Sequence, residues 1–277
     1  MRLLRPLAIG MLFPLTLAAQ AKPAAPPPNF DAYVASVMKQ FDVPGMGIAI
    51  VKDGQVVLAK GYGAKRLGSP DKVDADTRFG IASNTKAFTA LALGMLVEEG
   101  KLAWDAPVVN YLPQFMMWDS WVTRQITVRD ILVHNSGLGL GAGDLLWWPP
   151  TTYTPPQIMQ RLRYIEPATS FRSAYAYDNV LYLVAGQLIQ AVSGQSWSDF
   201  VTNRIIRPVG MKEATTTHAA AGDAEGNVAA THAKVDGGRA ALVFHRDIQR
   251  QRQPSDWQAA GPDFGDRQVT LAIVRAV

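Results

Sequence analysis

The sequence predicts an α/β (α+β) fold that combines an antiparallel hairpin with several apolar helices. Two short runs rich in β-branched residues flank Asp53-Gly54, and this arrangement is a strong hairpin signal. Apolar segments near 84–98 and 180–192 have the length of helices and are followed by glycine stop signals. Strands and helices that occur in separate runs along one chain favour the α+β class.

The N-terminal half yields four predicted elements in order. Residues 30–42 form an amphipathic helix, because their apolar side chains recur at helical spacing. The hairpin strands are expected near 46–52 and 55–62. A polar, turn-rich stretch follows, and then a helix over roughly 84–98, which Gly100 ends.

The C-terminal half continues with helices. The run "TVRDILVHNSG" predicts a short helix with Thr127 as its N-cap and Gly137 after its end. The helix over 180–192 is stopped by Ser193-Gly194. The run "SWSDFVTNRIIRPVGM" predicts one more helix, which Pro208 ends.

Composition excludes several classes of site. The chain of 277 residues has a formal net charge of +4 and no dense basic run, so we expect no nucleic-acid binding. It has no cysteine and four histidines, none in an H-x-x-x-H pair. We therefore expect no metal and no cofactor. A small molecule or a peptide is the expected binding partner, and the oligomeric state is left open.

The first residues predict export. Arg2 and Arg5 begin the chain, an apolar stretch follows, and Ala19-Gln20-Ala21 fits a signal-peptide cleavage site. A membrane anchor is the alternative, but the proline-rich segment 22–29 that comes next favours cleavage after residue 21. We expect an exported protein, periplasmic or secreted, with no stable membrane span after cleavage.

The segment Ser83-Asn84-Thr85-Lys86 predicts nucleophilic chemistry. A serine hydroxyl attacks only when a base takes its proton, and lysine can be that base. Residues three apart on a helix share a face, so S-x-x-K brings hydroxyl and amine together. The spacing occurs three times, but the matches at Ser36 and Ser69 lie in an amphipathic helix and a turn. On this evidence alone, Ser83 is equally well explained as a helix cap.

A second segment favours catalysis over capping. Tyr177-Asp178-Asn179 is the only Tyr-x-Asn in the chain, and it also precedes an apolar helix. A tyrosine beside a lysine can have a lowered pKa and relay protons, and an asparagine can hold a substrate amide. Taken singly, each is better explained as a core aromatic or a cap. Taken together with Ser83 and Lys86, they indicate a site.

From about Phe30 to about Gly237 the chain resembles the serine β-lactamase and penicillin-binding-protein superfamily, in particular its class C-like, esterase-like hydrolases. The segments that carry the resemblance are "GIAIVKDGQVVLAKGYG", "FGIASNTKAFTALAL", "GKLAWDAPVVNYLPQF", "TVRDILVHNSGL", "AYDNVLYLVAGQLI" and "GQSWSDFVTNRIIRPVGM". It implies a β-lactamase/transpeptidase-like fold, in which helices flank an antiparallel sheet and an all-helical region is inserted.

The resemblance also implies roles for individual residues. Ser83 would be the acylated nucleophile and Lys86 its base partner. Tyr177 would assist proton transfer, and Asn179 would hold the substrate and the lysine. His134 is interpreted as structural, because no triad signature includes it. The substrates would be β-lactams, D-amino-acid peptides or small esters.

The chain departs from this family in its last part. No Lys-x-Gly or His-x-Gly follows Asn179, although the family has such a motif on a strand lining the site. The last forty residues contain no Lys and no Glu. We therefore expect an incomplete sheet, a related domain over 30–236 and an atypical tail over 237–277, explained by a frameshift or a premature stop. The alternatives to an active enzyme are a truncated non-catalytic remnant and a penicillin-binding module that is acylated without turnover.

Overall fold

The computed structural model describes residues 25–147, 151–217, 226–235 and 238–242. The predicted signal segment and most of the predicted tail lie outside these residues. The described elements, in chain order, are α1 (Phe30–Gln40), β1 (Gly45–Lys52), β2 (Gln55–Gly63), α2 (Thr85–Glu98), α3 (Ser120–Gln125), α4 (Pro155–Arg161), α5 (Val180–Ser193), α6 (Trp197–Val201), β3 (Thr231–Val235) and β4 (Gly238–Leu242).

The predicted hairpin is confirmed. Strands β1 and β2 pair antiparallel from Gly45↔Gly63 to Lys52↔Gln55, with an irregularity between Ile50 and Val51. The turn residues Asp53 and Gly54 both have positive φ, 52° and 72°. Two consecutive left-handed residues match the twist of the flanking strands, which is why Asp-Gly is favoured there.

The core is helical, and α5 lies at its centre. Helix α5 packs against α2, α4 and α6. Its residues from Val180 to Gly186 are all buried, as expected for a helix covered on every side. Leu93 and Leu96 of α2 and Phe200 of α6 are fully buried beside it. The predicted stops are also confirmed, because Gly100 and Gly194 take positive φ after α2 and α5.

Two predicted helices differ from the structure. The helix expected after Thr127 is wrong, because residues 128–134 form turns. The Asp130 carboxylate accepts hydrogen bonds from the Thr127 N–H and hydroxyl, and such local side-chain bonds compete with helix formation. The helix expected to end at Pro208 consists of α6 followed by a π-helical segment, Thr202–Ile206.

The described strands form two separate two-stranded sheets, β1–β2 and β3–β4. Residues before β3 join the body of the protein through a parallel bridge between Arg78 and Val228, with hydrogen bonds from Arg78 N–H to the Asn227 carbonyl and from Ala229 N–H to the Arg78 carbonyl, both 2.8 Å. Helices with small antiparallel pairings confirm the predicted mixed class. Strand β4 lies within the segment predicted as a tail. Among the described residues, no helix is long and apolar enough to cross a membrane.

Two glycines give opposite predictions for stability. A Cβ on Gly61 of β2 would lie 2.3 Å from the Val73 carbonyl carbon and oxygen, so we expect Gly61→Ala to lower the free energy of unfolding by about 1–3 kcal/mol. Gly94 of α2 has only ordinary contact at that position, 3.7 Å from Trp104, so Gly94→Ala is expected to raise it by about 0.5–1 kcal/mol. Chemical denaturation measures both. Equal effects would contradict this packing argument.

Candidate active site

Ser83 lies in a short 3-10 turn, Ala82–Asn84, that leads directly into α2. The preceding Ala82 has a φ of 44°, an uncommon conformation for a residue with a side chain. Such backbone strain tends to occur at functional sites. Neither the turn nor α2 receives a side-chain cap hydrogen bond. The Ser83 hydroxyl therefore does not cap the helix, and it contacts two other side chains instead.

Lys86 is the first of these contacts. Its Nζ lies 3.1 Å from Ser83 Oγ, as the shared helical face predicts. The same ammonium donates a 2.7 Å hydrogen bond to Asn179 Oδ1, 93 residues further along the chain. It also lies 4.8 Å from the ring centroid of Tyr177 and 5.1 Å from that of Tyr182. The Lys86 ammonium therefore lies between Ser83 and Asn179 and next to the rings of Tyr177 and Tyr182.

Tyr177 is the second contact of the serine. Its hydroxyl lies 2.6 Å from Ser83 Oγ, a short hydrogen bond. Burial opposes ionisation of the phenol, but hydrogen bonds with Lys86 and Ser83 and the positive charge of Lys86 outweigh it. The pKa of Tyr177 is therefore lower than that of an ordinary tyrosine. Its phenolate form is more accessible than in water, which suits a group that exchanges protons with a serine.

His134 packs directly behind Tyr177. The two ring centroids are 4.6 Å apart, and Tyr175 and Tyr182 lie 5.6 Å from the same imidazole. His134 Nδ1 accepts a 3.3 Å hydrogen bond from the Asp178 N–H. Burial and the charge of Lys86 lower the pKa of His134, so the imidazole is neutral at pH 7. It makes no hydrogen bond with Ser83, and its ring contacts support Tyr177 rather than Ser83.

The loop that carries His134 is held by Asp130. Besides Thr127, this buried carboxylate accepts hydrogen bonds from Arg172 Nε (2.9 Å) and Nη2 (2.6 Å). Burial alone would raise the pKa of Asp130, but the Arg172 and Thr127 hydrogen bonds outweigh it and the pKa is lowered. Sequence reasoning did not find this pair, because its members are 42 residues apart and match no motif.

Asp144 also went unnoticed in the sequence. It begins a 3-10 turn, Asp144–Leu146, after two glycines with positive φ, Gly141 and Gly143. Its Oδ2 accepts a 3.0 Å hydrogen bond from Asn179 Nδ2. The Gly141 N–H also donates to the Tyr177 carbonyl at 2.9 Å. The two close glycines were the one available signal, since they mark a tight turn beside a ligand or another backbone.

The structure thus brings Ser83, Lys86, Tyr177 and Asn179 into one hydrogen-bonded cluster. Within the described part of the chain, no group of three or more His, Asp or Glu side chains is arranged to hold a metal ion. The chemistry that the cluster can supply is proton transfer to and from the serine hydroxyl. A serine hydroxyl at hydrogen-bond distance from a lysine and from a tyrosine of lowered pKa has the geometry of an activated nucleophile.

Comparisons of this chain with known proteins agree on one superfamily of relatives. A family model described as Beta-lactamase matches residues 30–260. Unguisins hydrolase ungD' of Aspergillus campestris is 33% identical over 192 residues, which is 66% of this chain and 35% of that protein. The chain therefore spans about a third of the length of this curated relative.

Solved structures agree with the family match. The octameric penicillin-binding protein homologue from Pyrococcus abyssi superposes with a TM-score of 0.66 at 30% identity, over 76% of this chain and 49% of that one. The class C β-lactamase from Rhodobacter sphaeroides shares the fold with a TM-score of 0.64 at 20% identity, over 89% and 62% of the two chains. The fold is therefore β-lactamase/transpeptidase-like, and the chain belongs to the Beta-lactamase family, within the serine β-lactamase and penicillin-binding-protein superfamily.

Proposed function

We propose that this protein is an exported serine hydrolase that forms an acyl-enzyme on Ser83. The observation that carries the proposal is the hydroxyl of Ser83, which lies 2.6 Å from Tyr177 Oη and 3.1 Å from Lys86 Nζ. Family relatives described as hydrolases support the reaction class. Export is inferred from residues 1–21 alone.

The proposed acylation step uses each contact. Ser83 Oγ attacks an acyl carbonyl carbon, and the hydroxyl proton passes to the Lys86–Tyr177 pair. The backbone N–H of Ser83, in the turn that leads into α2, would donate to the developing oxyanion. Collapse of the tetrahedral intermediate breaks the bond to the leaving group, which takes a proton from Tyr177. Water then attacks the ester and regenerates the serine.

The proposed substrates are carboxylic amides and esters, namely β-lactams, D-amino-acid peptides or small esters. All three present an acyl carbonyl to the same nucleophile, so the cluster itself does not select among them. The Asn179 amide lies beside Lys86 and can hold a substrate amide.

One pair of assays tests this proposal. The purified full chain is incubated with a fluorescent penicillin and, separately, with a chromogenic ester, and the adduct is mapped by peptide mass spectrometry. Steady turnover with an adduct on Ser83 is the expected result. A stoichiometric adduct on Ser83 without turnover would indicate an acylated binding module. No adduct, or an adduct on another residue, would overturn the proposal.

A further inference from the structure

The cluster has a fifth member, Asp144, whose contacts do not include the nucleophile. It accepts its hydrogen bond from the Asn179 side-chain amide, at 3.0 Å from Nδ2 to Oδ2. The opposite end of the same amide, Oδ1, accepts the 2.7 Å hydrogen bond from Lys86. The Lys86 ammonium, the Asn179 amide and the Asp144 carboxylate are therefore joined by two successive hydrogen bonds.

The orientation of the Asn179 amide is decided by its two neighbours. An asparagine side chain has an acceptor oxygen and a donor nitrogen of nearly equal size, so shape alone does not fix which end points where. A cation on one side attracts the oxygen, and an anion on the other attracts the NH2 group. Without an acceptor on that side, the amide can rotate by half a turn, which would place its two N–H donors against the Lys86 ammonium, a group with no acceptor.

A purely structural role does not explain Asp144, because its burial is only partly offset by hydrogen bonds. Its other oxygen, Oδ1, is buried and accepts no hydrogen bond within the described part of the chain. Leaving a buried acceptor unpaired costs the free energy of its desolvation, and the cost is larger for a charged group. A buried carboxylate that leaves one oxygen unpaired, and whose side-chain hydrogen bond within the described residues goes to a site residue, calls for a functional explanation.

The backbone around Asp144 fixes its position relative to the site. Gly143, just before it, has a φ of 84° and lies against Val180 and Ile165, where a Cβ would come within 3.1–3.2 Å of their side chains. Val180 follows Asn179 and begins α5. The turn Asp144–Leu146 therefore packs against the N-terminus of α5, next to Asn179. This packing holds the side chains of Asp144 and Asn179 at hydrogen-bond distance.

We propose that Asp144 is a positioning residue that orients the Asn179 amide so that its oxygen holds Lys86 beside Ser83. This inference rests on the proposed function for its kinetic consequence, but not for the orientation itself. Asp144 contacts neither the reacting serine nor the lysine directly, and it acts through Asn179.

Two variants separate charge, shape and hydrogen bonding at this position. Asp144→Asn keeps the size and an acceptor oxygen for Asn179, whereas Asp144→Leu keeps the approximate size and removes the acceptor. We expect Asp144→Leu to slow Ser83 acylation about 10- to 100-fold, the loss typical of a misplaced catalytic group, with little change in KM for the ester. Asp144→Asn should recover most of this loss. Asp105→Leu is the matched control, since Asp105 is exposed and its carboxylate pairs with Arg129 at the surface.

A double-variant cycle tests whether Asp144 acts through Asn179. Adding Asp144→Leu to Asn179→Ala should cause no further loss of acylation rate, because the amide to be oriented is already absent. Additive losses, or an Asp144→Asn variant as slow as Asp144→Leu, would overturn the inference. A general loss of structure would instead appear as a lowered melting temperature.

A nuclear magnetic resonance measurement remains informative if the chain does not acylate at all. In protein labelled with ¹⁵N-asparagine, the side-chain NH2 signal of Asn179 is assigned by its loss in Asn179→Ala. We expect Asp144→Leu to shift this signal strongly, while Asp105→Leu leaves it unchanged. An unshifted Asn179 signal in Asp144→Leu would contradict the positioning role, whereas absent labelling of the wild-type chain would contradict only the proposed function.

Discussion

Replacement of Lys86 by alanine is expected to lower the rate of Ser83 acylation by about 10²–10⁴-fold, the range that a positioned proton-transfer group contributes. The variant removes the 3.1 Å contact with Ser83 and the cation that lowers the pKa of Tyr177. With the phenol pKa restored toward its ordinary value of 10.0, both routes for the hydroxyl proton are impaired. The measurement is the rate of labelling by a fluorescent penicillin under single-turnover conditions.

Controls for Lys86→Ala come from the same chain. Ser83→Ala defines complete loss of labelling, since it removes the nucleophile. Lys101→Ala removes an exposed lysine that pairs with Glu99 at the surface, and it should label at the wild-type rate. An unchanged rate in Lys86→Ala would remove lysine from its proposed role. Metal chelators should have no effect on any of these proteins.

The pH dependence of labelling should also change in Lys86→Ala. In the wild-type chain the lowered pKa of Tyr177 means that its phenolate becomes available at lower pH than in a free tyrosine. Without the Lys86 charge, the residual rate should therefore rise at a higher pH than in the wild type. A rate profile that keeps its position on the pH axis would show that Lys86 does not tune the phenol.

Local signals in the sequence predicted the elements that local rules control. Asp53-Gly54 determined the hairpin, because a turn with two positive φ values depends on its own residues. Gly100 and Gly194 determined two helix ends for the same reason. At Thr127, the local hydrogen bonds to Asp130 that replace the helix are held in place by Arg172, which lies 42 residues further along the chain. The residues around Thr127 therefore did not reveal them.

The candidate site could be predicted from the sequence to the extent that its residues lie on two short motifs. Ser83 with Lys86, and Tyr177 with Asn179, were singled out by spacing and by family resemblance. The residues that support them were not. Asp144 lies 35 residues from Asn179 and belongs to no recognised motif, and the stacking of His134 on Tyr177 depends on the packing of two separate loops.

The second large expected effect concerns stability and involves Asp178, which lies between Tyr177 and Asn179. It is fully buried, and its Oδ2 accepts no hydrogen bond within the described residues. Burial raises its pKa from 3.8 to about 6, although the Leu181 N–H and Lys86 partly favour the charged form. We expect Asp178→Asn to raise the free energy of unfolding by about 1–3 kcal/mol at pH 8.

The sign of this effect follows from proton linkage. The folded-state pKa lies above the unfolded one, so the folded protein binds the extra proton and is favoured at low pH. This contribution is fully present below about pH 3.8 and is lost as the pH rises through about 6. An asparagine is neutral throughout, and it keeps an acceptor for the Leu181 N–H. The gain should therefore be large at pH 8, smaller at pH 6 and near zero at pH 4.

Denaturant unfolding at these three pH values measures the difference between Asp178→Asn and the wild type. Asp105→Asn is the matched control, because Asp105 is exposed and paired with Arg129, so its removal should give no gain at any pH. A gain in Asp178→Asn that is independent of pH would contradict the ionisation argument. If the gain follows pH as expected while Ser83 labelling slows, the chain keeps a destabilising carboxylate behind Tyr177 because the site needs its charge.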